Sequence, residues 1–335
     1  MRGERSRWRI AVQVVGFLIG LGLLGWCVRV ALSEANREQL GKLIDADWGL
    51  VVALAACSAG TLMLNGLVFL AALWPVKRLA VLDVLAVNSV ATVLSYAPFK
   101  LALAFRVVYH VKRDRVPLLT VIGWFGAVAV LAAVAVGPAF GASLVLPGGS
   151  GLWWAGWLGG AAAATAVMVG LARVFGGERG WARLLAFVRA VGFGWLLRWL
   201  GGEAGRKVHA GVDMLAHGRA SAAGAVLRVG DIMVQAVRMG VAARILGIEL
   251  DWGDAMVLAS VYFAIGMISP FGMLGTREAG AAGVATLAGL SGASGVEAVV
   301  TISLLVTASE AVVNLAGGAL GAAWLRVDRW VRGGR

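Results

Sequence analysis

Long apolar runs alternate with short polar connections along the whole chain. A helix that crosses a bilayer needs about 20 predominantly apolar residues. The runs that meet this requirement are 10–32, 50–74, 118–142, 152–175, 229–247 and 295–325. The segment 203–228 is too polar to span and is predicted to form a cytoplasmic helix. The arginines of 181–200 do not share one helical face, which favours a helix on the membrane surface over a span.

Two further apolar stretches contain residues that break helices. Residues 84–106 contain Pro98, and residues 254–290 contain Pro270 within a glycine-rich turn. Proline removes a backbone donor and glycine loosens a helix, so both stretches are predicted to break near their middles. Broken backbone at membrane depth occurs where it is buried in protein or lines a wet cavity. Re-entrant hairpins are favoured over kinked single helices, because six spans plus two hairpins return the C-terminus to the side of the N-terminus.

The order of these elements predicts an all-α integral membrane protein built from inverted repeats. We expect a single polytopic membrane domain over 1–335, with repeat 1 at about 50–142 and repeat 2 at about 229–325. Cytoplasmic or interfacial helices at about 176–228 separate them. Inverted repeats with paired broken segments are typical of transporters, whose sites lie near the midplane at the repeat interface.

The composition requires a membrane environment. Hydrophobic residues make up 60% of the chain and charged residues 14%, whereas ordinary soluble domains have about 45–50% apolar residues, glycine included, and about 25% charged ones. A soluble core cannot hide such a surplus, because a compact chain must also cover its surface. Disordered chains are excluded because they lack apolar residues.

The net charge of +12 is explained by where the charges lie. Basic residues concentrate in 1–9, in 173–228 and after residue 325, whereas acidic residues dominate 33–48 and 249–254. This alternation follows the positive-inside rule and places both termini in the cytoplasm. Orientation in the membrane therefore accounts for the basic balance, and nucleic acid is excluded as a partner.

Nothing in the sequence indicates a cofactor or a metal. Cys27 and Cys57 lie in apolar spans, and His209 and His217 are too far apart for the i,i+4 ligand pair of a helical zinc site. No lysine is followed by serine or threonine, so a phosphate-binding loop for ATP is absent. Any transport is therefore expected to be passive or coupled to an ion.

Polar side chains form stripes on three of the apolar helices. Residues at spacings of three and four lie on one helical face, and ionisable groups inside membranes usually face a bundle interior. The stripes are Asp231, Gln235 and Arg238; Thr307, Glu310 and Asn314; and Ser58, Thr61 and Asn65. Asp231 with Arg238 is either part of a site or a structural ion pair. The residues of the third stripe are of the kind that form hydrogen bonds between neighbouring membrane helices.

Charged residues follow both predicted breaks. Lys100 and Arg106 come after Pro98, and Arg277 and Glu278 come after the glycine-rich turn. A half-helix that starts at a break presents free N–H groups, and a guanidinium pairs bidentately with phosphate, so these positions favour an anion. The alternative for Arg106 is that it begins the cytoplasmic basic run 110–115. Glu310 is read as a counter-ion to Arg277, a proton carrier or a contact to a cationic head group.

The second break resembles the lysylphosphatidylglycerol synthase/flippase transmembrane family. Members show a proline, a glycine-rich turn and then Leu-Gly-x-Arg-Glu, and the matching residues are Leu274, Gly275, Arg277 and Glu278. The earlier feature of the family is echoed by Asn88, Pro98, Lys100 and Arg106. The Gly-Glu pair usual after that proline is missing, and Phe271 and Met273 replace the usual second glycine of the later turn.

The resemblance implies a multi-pass protein of the bacterial inner membrane that handles lipids. Its partners would be anionic or aminoacylated phospholipids, or isoprenoid- or hopanoid-linked lipids. Both a monomer and a homo-oligomer are compatible with the sequence. The resemblance also implies that the chain corresponds to the membrane half of the family, and we expect no soluble synthase domain. We predict a flippase for a lipid with a polar, phosphate-bearing head group. The expected substrate-binding residues are Arg277, Glu278, Glu310, Asn314, Arg106, Lys100, Asn88, Asp231 and Arg238.

Two other functions fit the same sequence. One is a membrane-embedded enzyme, or a subunit of one, in lipid aminoacylation or glycosylation, for which Glu278 with Asp231 is the only acid/base pairing available. The other is a scaffold whose basic segment 173–228 recruits a soluble partner or binds anionic lipid.

Overall fold

The structure, a computed structural model, describes residues 2–32, 41–97, 101–146, 148–268, 275–287 and 295–326. Its regular elements within these ranges are all helices, which confirms the all-α class. The helices are α1 (Arg2–Ala31), α2 (Trp48–Leu73), α3 (Val81–Leu94), α4 (Leu101–Lys112), α5 (Leu118–Val145), α6 (Gly151–Phe175), α7 (Gly177–Ala190), α8 (Gly194–Leu200), α9 (Glu203–Leu215), α10 (Gly218–Ile245), α11 (Trp252–Ile268), α12 (Thr276–Leu287) and α13 (Gly295–Leu325).

Five helices of the described ranges are long and apolar enough to cross a membrane, namely α2, α5, α6, α10 and α13. Shorter apolar stretches lie in α1, over Leu18–Val30, and in α3 and α11. Because a helix of about 20 residues matches the thickness of the hydrocarbon core, the chain is a multi-pass membrane protein. The predicted spans near 50–74, 118–142 and 152–175 coincide with α2, α5 and α6.

The sequence predicted one cytoplasmic helix over the polar segment 203–228, and the structure shows two helices there. Helix α9 ends at Leu215, and α10 begins at Gly218 and runs on into the predicted span. The apparent polarity of these first turns misled the prediction, because Arg228 is 1% exposed and paired inside the protein. Small residues also let this end of α10 pack tightly, and a Cβ on Gly224 would lie 2.8 Å from Leu131 of α5.

Residues 181–200 fall in two short helices instead of one long one. Gly192 separates α7 from α8 at a φ of +82°, a conformation that favours glycine. With 14 and 7 residues, neither helix is long enough to cross a bilayer. Phe187, Trp195 and Trp199 are exposed among exposed arginines, a pattern typical of helices that lie at a membrane surface.

The two halves of the helical bundle share one plan. Helices α2 to α5 and helices α10 to α13 each run long, short, short, long. Packing partners are exchanged between the halves as a two-fold relation requires: α3 packs against α13 and α11 against α5, while α2 packs against α10. Asn65 lies beside Arg228 and Gly60 beside Val234, so α2 and α10 are antiparallel. The repeat boundaries stay a prediction, and Pro98 and Pro270 lie outside the described residues.

Small residues bring the site-bearing helices into close contact. A Cβ on Gly318 of α13 would lie 2.4 Å from Val93 of α3, and one on Gly321 would lie 2.7 Å from the Ala86 carbonyl oxygen. Such small-residue contacts let helix backbones approach in membranes. The consequence is that the polar faces of α3 and α13 point into the bundle instead of into lipid.

Candidate functional site

Among the described residues, two clusters of buried polar side chains contain most of the predicted site residues. The first, called the Glu310 cluster, is formed by α10 to α13. Its members are Arg238, Tyr262, Arg277, Glu278, Thr307 and Glu310. The second, called the Asn88 cluster, joins α2, α3 and α4 to α10. Its members are Asn65, Asn88, Arg106, Arg228 and Asp231.

Glu310 is held between two arginines. Nη1 of Arg277 lies 3.1 Å from Oε1 and 3.2 Å from Oε2 of Glu310, and Nη1 of Arg238 lies 3.3 Å from Oε2. All three residues are at least nine-tenths buried. Buried charges persist in proteins when they are paired and hydrogen-bonded, and this carboxylate meets both conditions. Glu310 is therefore a counter-ion to Arg277, as one of the predictions from the sequence stated, and it is a counter-ion to Arg238 as well.

Tyr262 supports the arginine pair from α11. Its ring lies 4.8 Å from the Arg277 guanidinium carbon and 5.9 Å from that of Arg238, so both cations face its π-system. Gly266, one turn further along α11, leaves room for the arginine, since a Cβ there would lie 2.2 Å from Nε of Arg277. Both residues fix the guanidinium of Arg277 where Glu310 can bind it.

A chain of hydroxyl groups connects Tyr262 to the second carboxyl of this cluster. The Tyr262 hydroxyl is hydrogen-bonded to the Thr307 hydroxyl at 2.7 Å, and Thr307 donates to Oε1 of Glu278. Glu278 is fully buried, and its Oε2 has no hydrogen-bond partner among the described residues. Backbone N–H groups of Glu278 and Gly275 and the charge of Arg277 also act on this carboxyl. The cluster therefore holds one carboxylate paired with two arginines and one carboxyl whose second oxygen lacks a partner among the described residues.

The Asn88 cluster is a chain of amides between two arginines. Oδ1 of Asn88 accepts from Nη2 of Arg106 at 2.6 Å and from Nδ2 of Asn65 at 3.1 Å. Asn65 in turn accepts from Nη2 of Arg228 at 3.1 Å, and Arg228 is paired with Asp231 at 2.6 Å. The amides thus bridge the first half of the bundle to α10 without neutralising any charge.

Arg106 is the cation of this cluster that has no carboxylate partner among the described residues. Its guanidinium carbon stacks 4.2 Å from the Phe69 ring centroid, and the residue is 9% exposed. A buried guanidinium is expensive unless an anion pairs with it. With two arginines and one aspartate, the Asn88 cluster carries an uncompensated positive charge, and its geometry suits an anionic ligand.

The predicted site residues are divided between these clusters. Arg238, Arg277, Glu278 and Glu310 meet in the first, and Asn88, Arg106 and Asp231 meet in the second. Asn314 lies beside the first cluster, because its side chain is hydrogen-bonded to Glu310. It also donates to the Tyr96 hydroxyl at 2.7 Å, which ties α13 to the end of α3. Lys100 lies outside the described residues.

The reading of Asp231 and Arg238 as one ion pair was wrong. Asp231 pairs with Arg228, which is three residues away, and Arg238 pairs with Glu310. Side chains seven residues apart on a helix are two turns apart, and tertiary neighbours offer closer partners. The proposed acid/base pairing of Glu278 with Asp231 meets a similar difficulty, because the two carboxyl groups have their contacts in different clusters.

Two residues of the clusters were missed in the sequence. Arg228 was counted with the cytoplasmic basic segment, although its i,i+3 spacing to Asp231 signals an ion pair. Tyr262 is the single tyrosine of an apolar helix and gave no periodic signal. Among the described residues no group of three or more His, Cys, Asp or Glu side chains is arranged to hold a metal ion.

Comparison with known protein families decides the broader identity. The family model described as lysylphosphatidylglycerol synthase TM region matches residues 13–313, which is nearly the whole chain. The chain belongs to this family. Membership supports a membrane protein in lipid modification or transport. Neither a curated protein nor a solved structure matches the chain significantly.

Proposed function

We propose that this protein is a flippase that moves a lipid with a phosphate-bearing head group across the bacterial inner membrane, with both termini in the cytoplasm. The observation that carries the proposal is Arg106, a buried guanidinium without a carboxylate partner among the described residues. Family membership supports the choice of a lipid as the molecule that carries the anion. The substrates that fit are anionic phospholipids, aminoacylated phospholipids and isoprenoid- or hopanoid-linked lipids that carry phosphate.

In this proposal the phosphate binds at Arg106. Arg277 is a poorer phosphate ligand, although the sequence predicted both arginines as ligands. A guanidinium that already holds a carboxylate has fewer N–H groups to offer, and Arg277 directs its Nη1 at Glu310. Arg106 directs one N–H group at Asn88 and lies over the Phe69 ring, and these two contacts hold the guanidinium in position. A planar guanidinium with a fixed orientation recognises phosphate bidentately.

The Glu310 cluster holds the helices of the second half together during transport. It links α10, α11, α12 and α13 through buried contacts, so these helices would move as one body. The hydrogen bonds described between the halves include no ion pair: Ser58 contacts Ser309, Asn314 contacts Tyr96, and Arg228 donates to the neutral amide of Asn65. Rocking of one repeat against the other gives alternating access in transporters built this way.

Reconstitution tests the proposal directly. Purified protein in liposomes that contain fluorescent phosphatidylglycerol should move the label between leaflets, measured by the fraction that a membrane-impermeant reductant quenches. Arg106→Gln removes the positive charge and should slow translocation by about tenfold or more, because a charge-assisted hydrogen bond contributes about 1.5–3 kcal/mol.

The matched control is Arg219→Gln, which neutralises an exposed arginine of α10. This variant should translocate at the wild-type rate. Equal rates for the wild type and Arg106→Gln would exclude Arg106 as the anion site. Absence of transport for every lipid tested would contradict the flippase function itself.

A further inference from the structure

We infer that Glu278 is a proton-exchanging site that couples transport to the proton gradient, an inference that rests on the proposed function. Glu278 has no exposed surface, and its Oε1 accepts a hydrogen bond from Thr307. Its Oε2 has no partner among the described residues. Backbone N–H groups of Gly275 and Glu278 and the charge of Arg277 also act on the carboxyl, yet one of its oxygens stays without a donor among the described residues. A buried carboxyl that gains and loses a proton tolerates such a half-satisfied site better than one that is always ionised.

The hydroxyl groups beside Glu278 can reverse their hydrogen bonds. When Glu278 is ionised, Tyr262 donates to Thr307 and Thr307 donates to the carboxylate. When a hydronium ion gives its proton to the carboxylate and becomes water, the new O–H bond of Glu278 can donate to Thr307, and Thr307 then donates to Tyr262. Hydroxyl groups rotate to suit either arrangement. The proton leaves by the opposite reversal and returns to water.

This reversal changes what Tyr262 presents to the arginine pair. In the protonated state the phenol oxygen of Tyr262 accepts from Thr307, and its own proton is free to find another acceptor. Arg277 lies over the same ring at 4.8 Å and holds Glu310. Protonation of Glu278 therefore alters the surroundings of the Arg277–Glu310 pair, which joins α12 to α13.

Every helix that packs against α12 contributes to the surroundings of Glu278. From α13 come Thr307 and the ionised Glu310, and from α11 comes Tyr262. From α1 comes Cys27, whose side chain packs in the same small cluster as Ala282 of α12. Arg277 on α12 itself is engaged by Glu310. The site thus contains one exchangeable carboxyl beside groups that keep their charge.

Liposomes with an imposed pH gradient test the coupling. With one proton moved per lipid, a gradient of one pH unit should shift the leaflet ratio of fluorescent phosphatidylglycerol by up to about tenfold. The ratio should be compared with and without the gradient for each variant, so that the absolute rates do not matter. For Glu278→Gln and Thr307→Val, the leaflet ratio with the gradient should nearly equal the ratio without it. Glu297→Gln, which alters an exposed glutamate of α13, should shift the ratio as the wild type does.

Infrared difference spectra between acidic and alkaline samples test the proton site without any transport. The wild type and Glu297→Gln should show a protonated-carboxyl band of a buried group, Glu278→Gln should lack it, and Thr307→Val should shift it. A band that persists in Glu278→Gln overturns the inference, as does translocation that ignores the gradient. A band assigned to Glu278 without translocation of any lipid would support the proton site and refute the flippase function.

Discussion

The Glu310 cluster and the Asn88 cluster each contain two buried arginines and differ in how the charges of these arginines are balanced. In the first, one carboxylate holds two arginines through three hydrogen bonds. In the second, amide groups stand between the arginines, and Asp231 neutralises Arg228 alone. The first cluster joins helices of one half, whereas the second extends across both halves.

This difference separates a structural role from a ligand-binding one. A cluster whose charges satisfy one another holds its helices together and has little left to offer a substrate. A cluster with a buried cation and only neutral partners can accept an anion, as the proposed function requires. Sequence position alone would assign Arg277 and Arg106 the same task, since both follow a predicted break.

The largest loss of stability is expected when the Glu310 carboxylate of the Glu310 cluster is removed. Glu310→Gln leaves two buried arginines without their counter-charge, and loss of one partner from a buried pair costs about 3–5 kcal/mol. The midpoint of thermal unfolding in detergent should fall accordingly. Glu297→Gln, at an exposed position of the same helix, should leave the midpoint unchanged. A stable Glu310→Gln protein would show that the arginines have other counter-charges.

The second prediction compares the two arginines directly. Arg277→Met takes two of the three hydrogen bonds from Glu310, so unfolding should become easier by about 3 kcal/mol. Arg106→Met leaves no carboxylate unpaired, so its free energy of unfolding should stay within about 1 kcal/mol of the wild type. Thermal and denaturant unfolding of both variants measure this contrast. Equal losses would mean that Arg106 also has a hidden structural partner.

The smallest effect is expected from a change that moves Arg277 without removing its charge. Gly266→Ala puts a methyl group where Nε of Arg277 lies, 2.2 Å from the new Cβ. The flexible arginine should shift and weaken its bonds to Glu310, which should cost about 1 kcal/mol, at the low end for overpacking. Gly283→Ala, a position with nothing within 4 Å, is the matched control. Destabilisation of both variants to the same extent would contradict the packing argument.

Much of the fold was predictable because hydrophobic length is a local property. Spans near 50–74, 118–142 and 152–175 were placed correctly from runs of apolar residues. The start of α10 was placed too late, because Arg219 and Arg228 make its first turns look polar. Whether an arginine faces water or a buried partner depends on neighbouring helices, and hydropathy does not contain that information.

The site was predictable in its members and not in its pairings. Ionisable residues within apolar helices are rare enough to identify Arg277, Glu310 and Asp231 individually. Their partners come from other helices, as Glu310 does for Arg238 across 72 positions. Tyr262 gave no signal, because a tyrosine in an apolar helix is ordinary until its hydroxyl is seen beside Thr307.

The sequence by itself determined that this chain is an all-α membrane protein of the lysylphosphatidylglycerol synthase transmembrane family. It did so because the bilayer imposes length and polarity on each helix separately, and because the Leu-Gly-x-Arg-Glu motif is contiguous. The tertiary structure alone decided which arginine is neutralised. Charge balance at Arg277 and Arg106 is set by the carboxylates within about 4 Å, and helix packing brings Glu310 to one of them and an amide to the other.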